Sequence, residues 1–152
     1  MKLWHVRAET MQSSPWEIIL ESDPDPAIRA KILEPLAAFN ESAVGSPDWG
    51  LLAFTVRDPN GKIVGGLWGR TGYGFLFVEL LALGPAKGLG LGRKLMALAE
   101  DEARRRGLSG IWLDTWTFQA PGFYAKLGFV ECGRIADYPP GYARIFYVKR
   151  FA

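Results

Sequence analysis

One cysteine and one histidine in 152 residues leave this chain little soft-ligand or redox chemistry. Cys132 has no partner for an internal disulfide, so a reducing compartment and a cytoplasmic location are expected. It reads as small core filler rather than a nucleophile. A lone His5 predicts no metal centre. Glycine, proline and charge interrupt every apolar run before it reaches membrane-spanning length. The N-terminal stretch Met1-Lys-Leu-Trp-His-Val-Arg-Ala-Glu9 lacks the continuous apolar core of a secretory signal. Charge of neither sign dominates, with 18 basic against 16 acidic residues and a net charge of +2. The only basic cluster, Arg104-Arg105-Arg106, ends a helix pattern, where cations suit the dipole. Nucleic acid and membrane surfaces are therefore not expected as partners. There is no repeat, low-complexity tract or linker, so residues 1–152 read as a single domain.

What is present is 49% hydrophobic and 22% charged, a globular composition. Trp16 to Leu20 reads as a first strand. Asp23-Pro-Asp-Pro-Ala27 starts a helix that runs to about Asn40. Leu51–Arg57 and Lys62–Arg70 form a hairpin around Asn60-Gly61. Tyr73 to Leu83 is a strand apolar on both faces, which places it centrally. An amphipathic helix follows from about Leu91 to Arg106, with Leu91, Leu95, Leu98, Ala99 and Ala103 as its buried stripe. Glu100–Arg104, Asp101–Arg105 and Glu102–Arg106 are its i,i+4 pairs. The strand Ile111–Thr117, reached through that helical crossover, should run parallel to Tyr73–Leu83. A short helix opens at Pro121, and Phe129–Ile135 with Arg144–Arg150 closes the chain as a hairpin around Asp137-Tyr-Pro-Pro-Gly141. The expected class is α+β: a mixed, mostly antiparallel sheet with one central parallel pair, flanked by helices.

The most informative segment is Glu79-Leu-Leu-Ala-Leu-Gly-Pro-Ala-Lys87-Gly-Leu-Gly-Leu-Gly92-Arg-Lys94. A strand with one carboxylate leads into alternating glycines and then a helix. Such glycines admit close backbone approach, and the helix start aims unsatisfied N–H groups at the loop. Phosphate is the usual occupant; a tight strand–helix turn is the plainer alternative. Two nucleotide motifs fail. Gly-x-Gly-x-Gly is not the dinucleotide fingerprint, although Asp114 lies about where a ribose acid would, and the flanking hairpins do not supply repeated βαβ units. The P-loop lacks its Lys-Ser/Thr pair after the last glycine.

Lys87-Gly-Leu-Gly-Leu-Gly92, together with Phe118-Gln-Ala-Pro-Gly-Phe-Tyr-Ala-Lys-Leu-Gly-Phe129 about thirty residues on, resembles the two signatures of the GNAT acyltransferases. Lysine stands at 87 where that family has arginine or glutamine. Gln119 replaces its usual asparagine. The stretch from Leu113 to Tyr124, with Asp137-Tyr-Pro-Pro-Gly141, resembles a bacterial branch of uncharacterised substrate. The resemblance covers roughly Leu51 onward and implies acetyl transfer from acetyl-coenzyme A to an amine.

It further implies that two central strands splay around the pantetheine arm. Backbone groups of Leu81, Ala82 and Leu83 would pair with that arm. Amides of Gly88, Leu89, Gly90, Leu91, Gly92 and Arg93 would take the pyrophosphate, with Lys87, Arg93 or Lys94 adding charge. Gln119, Phe123 and Lys126 would complete the coenzyme side. Tyr124 matches the family's proton donor to the departing thiolate; packing against the core is its bland alternative. Glu79 falls between Phe77 and Leu81 on one face, where burial would lift it toward a general base, or where it forms a structural ion pair. Acceptor-side candidates are Asn40, Trp68, Asp114, Trp116 and Tyr142. Their aromatics and acids suit a cationic small-molecule or peptide amine. A non-catalytic acyl-coenzyme A sensor on the same fold is the alternative function. The exposed edge of a C-terminal strand suggests a homodimer.

Overall fold

The computed structural model of the chain describes residues 15–152, so His5 lies outside the described residues. The chain divides into two compact units, Met1–Asn40 and Glu41–Ala152. In the first, helix α1 (Pro26–Val44) starts where expected and runs on past Asn40. Its start is fixed by Asp25, whose carboxylate accepts the Ala27 N–H at 2.7 Å. Trp16 to Leu20, expected as a strand, is not one. A strand exists through its ladder to a neighbour, and the local apolar run names no neighbour.

The second unit holds a six-stranded sheet. Its elements in order are β1 (Gly50–Arg57), β2 (Ile63–Gly72), β3 (Phe75–Ala82), α2 (Leu91–Arg105), β4 (Gly110–Trp116), α3 (Pro121–Lys126), β5 (Val130–Ala136) and β6 (Ala143–Arg150). A 3-10 turn, Gly84–Ala86, links β3 to the loop before α2. Strand order is β1-β2-β3-β4-β6-β5. Every neighbouring pair is antiparallel except β3 and β4, which run parallel. The expected class and the central place of β3 both hold.

The core centres on Leu76, Ile111 and Leu113, the largest fully buried side chains. Helix α2 adds Leu95, Met96, Ala99 and Ala103. Leu98, expected in that stripe, is 39% exposed, and Met96 replaces it. The buried line runs Gly92–Met96–Ala99–Ala103, so the stripe tilts to the other flank of Leu95 and Ala99. Among the ion pairs, Arg105 turns to Glu102 rather than to Asp101. Hydrogen bonds from Arg105 and then Arg106 hold the Glu102 carboxyl down to about 2.

Cys132 is exposed, not core filler, because β5 is an edge strand without a buried residue. In the C-terminal hairpin β6 lies between β4 and β5, so the free edge belongs to β5. No helix among the described residues is long and apolar enough to cross a membrane.

One contact ties α2 to β6: Lys149 Nζ to Glu100 at 2.5 Å. Burial would raise the Glu100 pKa, but hydrogen bonds from Lys149 and Arg104 outweigh it and leave the carboxyl below its ordinary value. A depressed folded pKa contributes stability above the unfolded value of about 4.3, and that stability fades as pH falls through the folded value. Lys149→Met is expected to lower Tm by roughly 3 °C at pH 7, for about 1 kcal/mol in a partly exposed pair. The gap should close toward pH 3 in melts followed by circular dichroism. A gap that persists in acid contradicts this role.

Candidate active site

The β3–β4 ladder stops early. Its register runs from Phe75 opposite Gly110 to Val78 opposite Leu113 and no further. Beyond that point β3 stays paired with β2 as far as Ala82, and β4 with β6 as far as Trp116. Residues 79–82 and 114–116 therefore present backbone edges that have no strand opposite, and a cleft opens between the two central strands.

A bulge marks where it opens. Gly69 is opposite Val78 and Trp68 opposite Leu80, so Glu79 is an extra residue on β3. Bulges break pairing and increase twist. The extra residue also resets which way the side chains point. Leu81 packs with the core that holds Val78, rather than sharing a face with Phe77 and Glu79 as strict alternation predicts. Glu79 is bonded to Arg70 at 2.7 Å, with its side chain 29% exposed. Of the two readings of Glu79, the ion pair is the one seen. Arg70 also lies 5.5 Å over the Phe77 ring.

At the end of β3, Leu83 accepts the Ala86 N–H at 2.9 Å and the chain enters the glycine loop. Gly88 and Gly90 have φ of +88° and +74°, with open space where a Cβ would stand. Glycine is needed there for backbone conformation. Gly92 has a different reason: an added Cβ would meet Phe123 Cζ at 3.3 Å and Leu83 Cδ1 at 3.4 Å. The glycine signature and the Phe123-Tyr124 signature are thus in near contact.

Gly90 caps α2 without a side-chain bond, and Lys94 N–H is the first to reach back, to the Gly90 carbonyl. Among the described residues no acceptor meets the N–H groups of residues 88–93. Lys87, Arg93 and Lys94 are exposed and in no ion pair among them. Six unmet donors and a helix start, with exposed Lys87, Arg93 and Lys94 in the same segment, make a candidate anion cradle whose chemistry suits a diphosphate.

α3 follows β4 through a turn held by Gln119. Its Oε1 accepts Thr115 Oγ1 at 2.8 Å and the Trp116 N–H at 3.1 Å. That amide oxygen is therefore engaged within the chain rather than held out toward a ligand. Lys126 is exposed at the far end of α3. Tyr124 is half-buried, its ring 5.1 Å from Phe123 and 6.1 Å from both Phe129 and Tyr147. Burial raises the phenol above its ordinary pKa, and the negative charge of Asp114 raises it further. The group stays protonated throughout the neutral range.

Asp114 is only 10% exposed and bonds Arg144 at 2.8 Å. The Arg144 guanidinium lies 4.8 Å over Trp116 and 5.6 Å from Phe146. Trp116 and Tyr142 each pack against Phe118, with ring centroids 6.0 Å and 5.1 Å from it. Trp68 lies opposite Leu80 on β2, 40% exposed. Asn40 belongs to the first unit. The structure so brings Phe123 against the glycine loop and places Tyr124 within the field of Asp114. The partners Arg70 and Arg144 were missing from the sequence reading. Register counting offers one signal: Arg70 is opposite Phe77, and Arg144 opposite Trp116.

Comparison with known proteins agrees with this geometry. The sequence profile of the acetyltransferase (GNAT) family matches residues 13–129. An acetyltransferase of Agrobacterium fabrum is 35% identical over 134 residues, 88% of this chain and 98% of its own. The blasticidin-S acetyltransferase of Streptomyces morookaense is 44% identical over 91 residues, 59% of this chain and 67% of its own. A crystal structure from Agrobacterium tumefaciens superposes with a TM-score of 0.84 at 34% identity, covering 90% of this chain and all of the other.

Proposed function

The chain belongs to the acetyltransferase (GNAT) family, and on that footing we propose that it moves an acetyl group from acetyl-coenzyme A directly to a small-molecule primary amine within one ternary complex. The observation that carries this reading is the row of unmet N–H donors from Gly88 to Arg93, set beside the cleft that opens past Val78 and Leu113. Diphosphate suits the first and an extended amide chain suits the second. Acetyl-coenzyme A supplies the activated thioester. A relative named for blasticidin-S supports a small-molecule acceptor.

Backbone groups of Leu81 and Ala82, on the opened edge of β3, align the extended arm. A main-chain N–H near Leu81 polarises the thioester carbonyl. The amine lone pair attacks that carbon, the C–S bond breaks, and the Tyr124 hydroxyl gives its proton to the sulfur. The ammonium proton leaves through water, since the Glu79 carboxylate is already bonded to Arg70. Phe123 sets the distance between the glycine loop and Tyr124 through Gly92. Nothing in this arrangement favours a sensor over an enzyme.

The direct test follows free thiol released from acetyl-coenzyme A across a panel of primary amines, with calorimetry of coenzyme A alone. Micromolar binding and amine-dependent thiol release are expected. Absence of binding heat from both acetyl-coenzyme A and coenzyme A overturns the reading.

A further inference from the structure

The acceptor side carries one more inference, which rests on the acetyltransferase reading. Where β4 ends, four rings cluster. Trp116 and Phe118 are 6.0 Å apart, Phe118 and Tyr142 meet edge-to-face at 5.1 Å, and Tyr138 lies 6.4 Å from Trp116. Three of them are open to solvent: Phe118 at 53%, Tyr142 at 49% and Tyr138 at 46%. Phe118 immediately precedes Gln119, the residue that joins β4 to the helix of Tyr124. The cluster is therefore continuous with the end of the cleft where transfer takes place.

Two acids on the opened strand ends are already matched by cations. Asp114 is bonded to Arg144, and Glu79 to Arg70. Asp137 gives one carboxylate oxygen to the Gly141 N–H of its own loop. A polyamine needs unmatched acids spaced along its length. A flat unsaturated body needs ring faces, which stack or meet edge-to-face with aromatic partners.

We propose that the rings of Phe118, Tyr142 and Tyr138, backed by Trp116, form the acceptor wall, and that the acceptor is a monoamine bearing an aromatic or heteroaromatic body rather than a polyamine. Phe118 and Tyr142 set the specificity.

The experiment compares 2-phenylethylamine, its saturated-ring analogue 2-cyclohexylethylamine, and spermidine, by thiol release and by calorimetry on protein saturated with coenzyme A. The aryl amine is expected to exceed its saturated twin by about tenfold in kcat/KM, and to bind more tightly by a similar factor. Phe118→Leu keeps apolar bulk without a ring face. It should reduce the preference to below threefold, with Tm and coenzyme A affinity unchanged. A preference that survives Phe118→Leu and also Tyr142→Leu overturns the wall. Equal use of both ring amines, or better use of spermidine, overturns the substrate class. If coenzyme A itself does not bind, the parent reading has failed and this one with it. If coenzyme A binds but no amine is turned over, calorimetric preference for the aryl amine still decides the wall.

Discussion

Tyr124→Phe is expected to lower kcat by about 10²-fold or more, the usual contribution of a positioned proton donor, and to leave the affinity for acetyl-coenzyme A unchanged. The substitution keeps the ring and its contacts to Phe123, Phe129 and Tyr147, so packing survives and only the hydroxyl is lost. Burial and Asp114 both raise the phenol, so it is still protonated at pH 9. The basic side of the wild-type pH–rate profile should therefore show no loss assignable to Tyr124 below pH ~10. Steady-state kinetics from pH 6 to 10, with calorimetric Kd at each end, checks both statements. Turnover within threefold of wild type removes Tyr124 from the chemistry.

The second large effect belongs to the anion cradle. Gly90→Val places a β-branched residue at φ +74°, a conformation that costs an L-residue roughly 1–2 kcal/mol, and more when the side chain is branched. Relief of that strain is expected to reorient the N–H groups of the loop. Acetyl-coenzyme A should then bind at least tenfold more weakly, since 1.4 kcal/mol is a factor of ten. Gly61→Val is the matched control. Its φ is +82°, its surroundings are equally open, and it sits in the β1–β2 turn. Both variants should lose similar thermal stability, but only the change at 90 should weaken binding. Equal Kd values in the two would mean that the donors of residues 88–93 do not hold the ligand.

Much of this architecture was legible because local patterns and global fold agree. Asn60-Gly61 announces its hairpin, and Asp58 completes it by accepting the N–H groups of Asn60 and Lys62. Helix α2 follows a 3.6-residue period between glycines, and its crossover dictates the parallel pair. The glycine loop before α2 was legible for the same reason: Gly88 and Gly90 are needed there for backbone conformation alone.

The misses share another cause. Trp16 to Leu20 has the composition of a strand, but pairing is a property of two segments. Alternation in β3 is correct until residue 79, where one extra residue shifts the parity, and no residue type there signals it. Cys132 looked internal because small apolar residues usually are, yet its strand is the last in the sheet. The arginines that neutralise Glu79 and Asp114 come from β2 and β6, nine and thirty positions away. The acids were visible and their partners were not. That difference turns two lone acids into two ion pairs.

The ladder that ends at Val78 and Leu113 has a thermodynamic consequence. An empty molecule leaves main-chain groups on two inner strands to water alone, so a cosubstrate arm lying between them would also complete the sheet. At a hundred times the dissociation constant, such a ligand adds about 2.7 kcal/mol to folding. That is a substantial part of a domain's usual margin. A coenzyme arm laid in that cleft would couple the folding stability of this domain to the concentration of coenzyme, acetylated or free.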